Sequence, residues 1–187
     1  MKRFGVLAVA AIAVVGFFAQ PALAASPHLK GNNPIAFTDN GLTLTATVSY
    51  AGLGNFDTLQ TLDATGNPTS TCTNPAGATQ PPGQNPAEAD VSGSTAVPAG
   101  DIKNGNVTIT TDTNSPETSI PGAPQCPNRQ WTEDITDMAF TSATVRLFQD
   151  ANGDHLFQDS ELVLTATCTF SPPTSNGPVP ASGVTCS

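Results

Sequence analysis

A two-sheet antiparallel β-sandwich is the fold this sequence predicts, and three observations predict it. Apolar residues recur at every second position in several segments, and turn-forming residues separate those segments at short intervals. Beyond residue 24, no stretch carries the 3.6-residue apolar period of a helix.

The first 24 residues read as a signal peptide and not as part of that fold. Lys2 and Arg3 make a short basic start, and an uncharged, almost wholly apolar run covers residues 6–19. Ala22-Leu23-Ala24 then sets small residues at the two positions a signal peptidase inspects. The run is short for a hydrocarbon core of ~30 Å, and Pro21 interrupts it. Cleavage before Ala25 leaves residues 25–187, which suit a single domain. The expected location is extracellular, with no membrane insertion after cleavage.

The clearest strand covers residues 42–50. Leu42, Leu44, Ala46, Val48 and Tyr50 point one way, and Thr43, Thr45, Thr47 and Ser49 point the other. The pattern returns at 107–110 and at 139–147, where Ala139, Ala143, Val145 and Leu147 are expected to share a face. It returns last in Leu162, Leu164, Ala166, Cys168 and Phe170. Weaker strands are expected at 58–64, 69–73 and 89–97. Between them lie Asp39-Asn40-Gly41, Thr65-Gly66-Asn67-Pro68, Lys103-Asn104-Gly105-Asn106, Asn152-Gly153 and Ser175-Asn176-Gly177-Pro178. Gly supplies positive φ and Pro fixes φ near −65°, so each group predicts a reversal. Seven to nine such strands fit an immunoglobulin-like topology, with a small barrel as the alternative. The Pro/Gly-rich residues 74–86 read as a long surface loop.

Charge and cysteines narrow the class. Removal of the signal leaves Lys30, Lys103, Arg129 and Arg146 against 15 acids, a net charge of −11. Such a surface repels nucleic acid and anionic lipid. Cys72, Cys126, Cys168 and Cys186 form an even set, which predicts two disulfides in an oxidising compartment, with three pairings open. Cys72–Cys126 with Cys168–Cys186 is the expected one; the second would close a hairpin. No two cysteines have metal-finger spacing.

Several phrases taken together resemble a known group. They are Ser26-Pro27-His28-Leu29-Lys30-Gly31-Asn32, Ala51-Gly52-Leu53-Gly54-Asn55, Cys72-Thr73-Asn74-Pro75-Ala76-Gly77 and Pro82-Gly83-Gln84-Asn85-Pro86. Ile102-Lys103-Asn104-Gly105-Asn106-Val107 and Cys126-Pro127-Asn128-Arg129-Gln130-Trp131 complete the set. Across most of residues 26–147 the chain resembles a group of small secreted proteins of Gram-positive, actinobacteria-like genomes. The resemblance implies a shared fold and supports pairing Cys72 with Cys126. It brings no activity and no functional residue.

The sharpest chemical pattern spans residues 150–161. Set against the 12-residue EF-hand loop, Asp150, Asn152 and Asp154 take positions 1, 3 and 5. Leu156 would offer its backbone carbonyl at position 7, Gln158 would act through water at position 9, and Glu161 would close the shell at position 12. Calcium wants six to eight oxygens, and this spacing brings oxygens inward from one tight loop. His155 stands where the motif has Gly, and the flanks read as strands, so the expectation is an EF-like loop in a β-hairpin. Against it, Asn-Gly is the strongest short hairpin turn, and acids beside it are ordinarily solvated.

Other candidates are weaker. Trp131 is expected in or near the core beside Cys126, in preference to stacking on a sugar. Glu133, Asp134 and Asp137 could serve as glycosidase carboxylates but more commonly line a strand's solvent face. His155 lacks a nucleophile motif to serve, His28 lies in the N-terminal segment, and Asn106-Val107-Thr108 is a glycosylation sequon without consequence in a bacterial reading. The expectation is a non-catalytic, monomeric extracellular module that binds an unknown protein or glycan, with calcium stiffening one hairpin. A carbohydrate-binding module is the first rival; a secreted enzyme, or an inhibitor using the 74–86 loop, is the second.

Overall fold

The computed structural model describes residues 27–32 and 34–187; the signal peptide read in residues 1–24 and its cleavage site lie outside them. The strands are β1 (His28–Leu29), β2 (Ile35–Asp39), β3 (Leu44–Ala51), β4 (Thr58–Thr73), β5 (Thr79–Gln80), β6 (Ala89–Val97), β7 (Val107–Asp112), β8 (Thr132–Gln149), β9 (Leu162–Phe170), β10 (Gly177–Pro178) and β11 (Val184–Cys186). Every pairing among them is antiparallel.

They make two sheets. In the first, β2 and β1 each pair directly with one edge of β3, β7 pairs with its other edge, and β10 pairs with β2. In the second, the order is β11-β9-β8-β4, and β6 and β5 share the far edge of β4. The alternation read in the sequence is the packing itself except at the start of β9, where Leu162 lies past a bulge and is 40 % exposed. Leu44, Ala46, Val48 and Tyr50 are fully buried, and so are Leu62, Val145 and Leu147 from the opposing sheet. Phe37 of β2 meets Phe170 of β9 edge to face across the core, with ring centroids 5.1 Å apart.

The two sheets touch at their margins. At one side β6 meets β7: Asn114 N–H donates to the Ser92 carbonyl at 2.8 Å, and Thr95 Oγ1 donates to that of Thr110 at 3.0 Å. Contact there is so close that a Cβ on Gly93 would stand 1.9 Å from the Asp112 carbonyl oxygen. At the other side the C-terminal segment bridges the margins, because β10 pairs with β2 and β11 pairs with β9. Both disulfides form as expected, Cys72–Cys126 and Cys168–Cys186. The first ties the end of β4 to the segment before β8, and the second joins two residues directly opposite each other on β9 and β11. Among the described residues, no helix is long and apolar enough to cross a membrane.

Two local expectations are corrected. The turn expected at Thr65-Gly66-Asn67-Pro68 is the middle of β4, marked by a bulge opposite Phe140–Ser142. Gly66 is there for close approach, since a Cβ would come within 3.2 Å of Met138 and Phe140. Pro68 falls between the stretches of β4 covered by β6 and by β5, where a missing N–H breaks no ladder. The same bulge reverses the face of Ala139: Met138 and Phe140 fill the core, and Ala139 does not share the buried side of Ala143, Val145 and Leu147.

Candidate metal centre

The hairpin between β8 and β9 is built around Asp150, the first residue past the strand and only 3 % exposed. Its Oδ1 accepts the backbone N–H groups of Gly153 at 2.7 Å and Asp154 at 3.2 Å, and its Oδ2 accepts that of His155 at 2.9 Å. The next two polar residues repeat the device. Asn152 Oδ1 accepts from Asp154 N–H and Asp154 Oδ1 from Leu156 N–H, both at 2.8 Å. Short polar side chains bond the backbone two residues on in this way, and the loop winds around them. His155 takes the left-handed backbone conformation, φ 61°. The residue that departs from the motif thus adopts the geometry for which the motif uses Gly, at a steric cost of roughly 1–2 kcal/mol.

The far side closes as a cap. Asp159–Glu161 form one 3-10 turn, with Gln158 and Glu161 in a reciprocal capping box; Glu161 Oε2 accepts Gln158 N–H at 3.2 Å. Gln158 Nε2 donates to Asp154 Oδ2 at 3.2 Å and so links the two halves. Glu161 is 7 % exposed, and its Oε1 is shut off from solvent with no donor. A buried carboxylate oxygen without a partner carries a large desolvation cost that a cation would relieve.

The predicted ligands are therefore wound into one loop, but not all brought to one point. Among the described residues, the acid/histidine group whose ligand atoms lie within 4.8 Å of one another is Asp57, Asp150 and His155. Asp154 and Glu161 stand outside it, and Leu156 turns a side chain that is 64 % exposed toward solvent. Asp57, from the β3–β4 loop, was missed by sequence reasoning because it lies 98 residues from its partner His155. Only its place one residue before a strand on the same sheet could have signalled it. Asp57 is fixed at both ends: its carbonyl accepts Asp150 N–H at 2.9 Å, and its Oδ1 accepts Ala99 N–H at 2.8 Å. The Ala99 amide holds the Asp57 carboxyl below the usual carboxylate range; some desolvation opposes this, and the hydrogen bond and charge of His155 add to it. His155 Nδ1 stands 3.2 Å from Asp57 Oδ2 and 3.7 Å from Asp150 Oδ2. Beside them is a hollow of about 170 Å³ that Phe157, Val97 and Pro98 also line.

The other candidate acids are dispersed. Glu133 points inward, 1 % exposed, and both its oxygens are engaged, by the Ser70 hydroxyl at 3.0 Å and Gln125 N–H at 3.2 Å. Asp134 follows it on the strand and faces the opposite way, as strand geometry requires. Trp131 is half-buried at the end of the Cys126 segment. No family model matches the chain, and neither the curated proteins nor the solved structures include one that it matches.

Proposed function

We propose that this chain is an exported, non-catalytic binding or structural module on an immunoglobulin-like sandwich, with calcium stiffening its β8–β9 hairpin. The observation that carries the calcium reading is Glu161 Oε1, buried and without a donor at the loop's twelfth position, where a cation would be its partner. Asp150, Asn152 and Asp154 supply further oxygens at alternate positions, and Asp57 is within reach from a second loop. When bound, calcium would supply charge neutralisation and rigidity. Binding would draw Asp154 and Glu161 in toward Asp150 to hold it, with Asn152, the Leu156 carbonyl and a water on Gln158 completing the shell.

Pairing of all four cysteines supports an oxidising, extracellular setting. The placement of acids supports a non-catalytic role, because Glu133 and Asp134 diverge across a sheet. Phe56 is the one Phe, Tyr or Trp side chain exposed among the described residues, which favours a protein partner over a sugar bound by a row of rings.

Extracellular calcium sites of this kind have a Kd of about 10⁻⁴–10⁻³ M. At 10 mM calcium the folded state should then gain roughly 1.4–2.7 kcal/mol, a rise of several degrees in Tm for a domain of this size. Magnesium at the same concentration should give a much smaller rise. Glu161→Gln should abolish the calcium effect without loss of fold, since the amide still fits the cap. Equal melting temperatures with and without calcium would overturn the reading.

A further inference from the structure

The large apolar side chains that stand in solvent are not scattered over this molecule. Among the described residues they are Phe56, Leu156, Leu162 and Val163, each at least 37 % exposed. All four lie at one end of the second sheet. Phe56 stands in the β3–β4 loop beside Asp57, whose carbonyl accepts Asp150 N–H at the base of the β8–β9 hairpin. Leu156 follows His155, whose Nδ1 is 3.2 Å from Asp57 Oδ2. Leu162 and Val163 leave the same hairpin. There β9 pairs Leu164 with Leu147 and Leu162 with Phe148, so Val163 is an extra residue. The alternation breaks at this bulge, and both side chains are left outside the core.

Single exposed apolar residues are ordinary, but a group of them rimmed by polar ones marks a surface that another molecule covers. Beside this group is the hollow of about 170 Å³, lined by Ala96, Val97, Pro98 and Phe157 together with Asp57 and His155. The rim is acidic. Asp154 and Asp159 are exposed on the hairpin, and Asp57 is partly so. Lys103, beyond the Ala99–Asp101 turn, donates its Nζ to the Gly100 carbonyl. Residues 25–187 carry 15 acids against four lysines and arginines. A second copy would set acid against acid, and anionic lipid is repelled likewise. Apolar groups interspersed with cations are what this surface complements.

Resting on the reading of the chain as a protein-binding module, we propose that this end of the sandwich is its docking surface. The partner is a protein segment in which large apolar side chains are interspersed with lysine or arginine. One apolar side chain enters the hollow against Phe157, and a neighbouring cation pairs with the Asp57 carboxylate. Leu156 and Leu162 cover the segment, and Asp154 and Asp159 draw it in.

The test titrates a synthetic peptide, leucine and phenylalanine alternating with lysine, into the oxidised protein in the presence of a chelator, so that the result is independent of calcium. Two matched peptides carry glutamate for lysine, or serine for the apolar residues. The lysine peptide should bind, both matched peptides should bind at least about tenfold more weakly, and amide shift changes should fall in residues 53–57, 96–98 and 150–163. Leu156→Ser combined with Leu162→Ser should weaken binding about tenfold or more, the scale of an anchoring side chain. Both side chains are exposed, so the fold and its Tm should be kept. Asp57→Asn should weaken binding and lessen its dependence on salt. Equal binding of the serine peptide overturns the proposal, and so does binding that the leucine and Asp57 variants leave unchanged, because attraction to the acidic chain as a whole then accounts for it. Failure of the lysine peptide to bind overturns this partner chemistry and leaves the module reading to other faces. Retention on phosphatidylcholine vesicles, or self-association, that Leu156→Ser abolishes overturns it in favour of lipid or of a second copy.

Discussion

At the residue scale, the core contains a polar bridge between the sheets. Tyr50 of β3 donates its hydroxyl to Gln60 Oε1 at 2.7 Å, and Gln60 Nε2 donates to Thr111 Oγ1 of β7 at 2.9 Å. Tyr50, Gln60 and Thr111 are each fully buried. A buried group left without its partner costs about 1–3 kcal/mol, so Tyr50→Phe should destabilise by that amount in urea unfolding. Gln60→Leu should cost more, because it strands two hydroxyls. Burial also pushes the Tyr50 hydroxyl up. As the chain has one tyrosine, ultraviolet absorbance should show no tyrosinate at alkaline pH until the protein unfolds. The direction follows from linkage: a phenol held protonated by the fold withdraws stability as pH climbs past the unfolded value near 10. Tyr50 was legible as a core residue from its place in an alternating run. Gln60 was not, since a polar residue on a strand reads as outward until its partners on two other strands are known. Asp57 escaped for the same reason, and so did the burial of Glu133.

At the scale of elements, legibility followed length and one-sided burial. β3, β8 and β9 bury one face against the opposing sheet, which writes a period of two into their sequences. β1, β5, β10 and β11 have two or three residues each, too few to hold any period. The hairpin loop of residues 150–161 was legible as a pattern of oxygens, because each bonds a backbone amide a few residues away. Its closing contact with Asp57 was not, because it is long-range. Gly66 and Pro68 misled because turn chemistry and bulge chemistry use the same residues. Gly93 has the same ambiguity: nothing nearby reveals that it faces the backbone of β7. A Cβ placed 1.9 Å from the Asp112 carbonyl must push the two sheet margins apart. Gly93→Ala should therefore destabilise by about 3 kcal/mol or more, measured by thermal or urea unfolding. A cost like that of an exposed glycine in a strand would show that the margins are not in contact.

Across the whole molecule, the sequence predicted two layers and the pairing of the cysteines, but not how the margins meet. That closure rests on contacts between distant parts of the chain. Asp39 and Thr174 are 135 residues apart, β10 completes the first sheet from the opposite end of the sequence, and Cys186 lies on the last strand. Folds dominated by such contacts form slowly, on the scale of milliseconds to seconds. A chain stopped after Ser171 loses Thr174, β10, β11 and one disulfide together. It should show no cooperative thermal transition by circular dichroism, whereas Thr174→Ala in the complete chain should unfold cooperatively at a lower temperature. The timing of synthesis gives this dependence a further meaning. While the polypeptide is being made, β2 waits with a bare edge, and Asp39 without its Thr174 partner, until residues 174–178 have been added. Whatever meets the newborn chain in that interval meets an unfinished seam, and the molecule's maturation is governed by the arrival of residues 174–186.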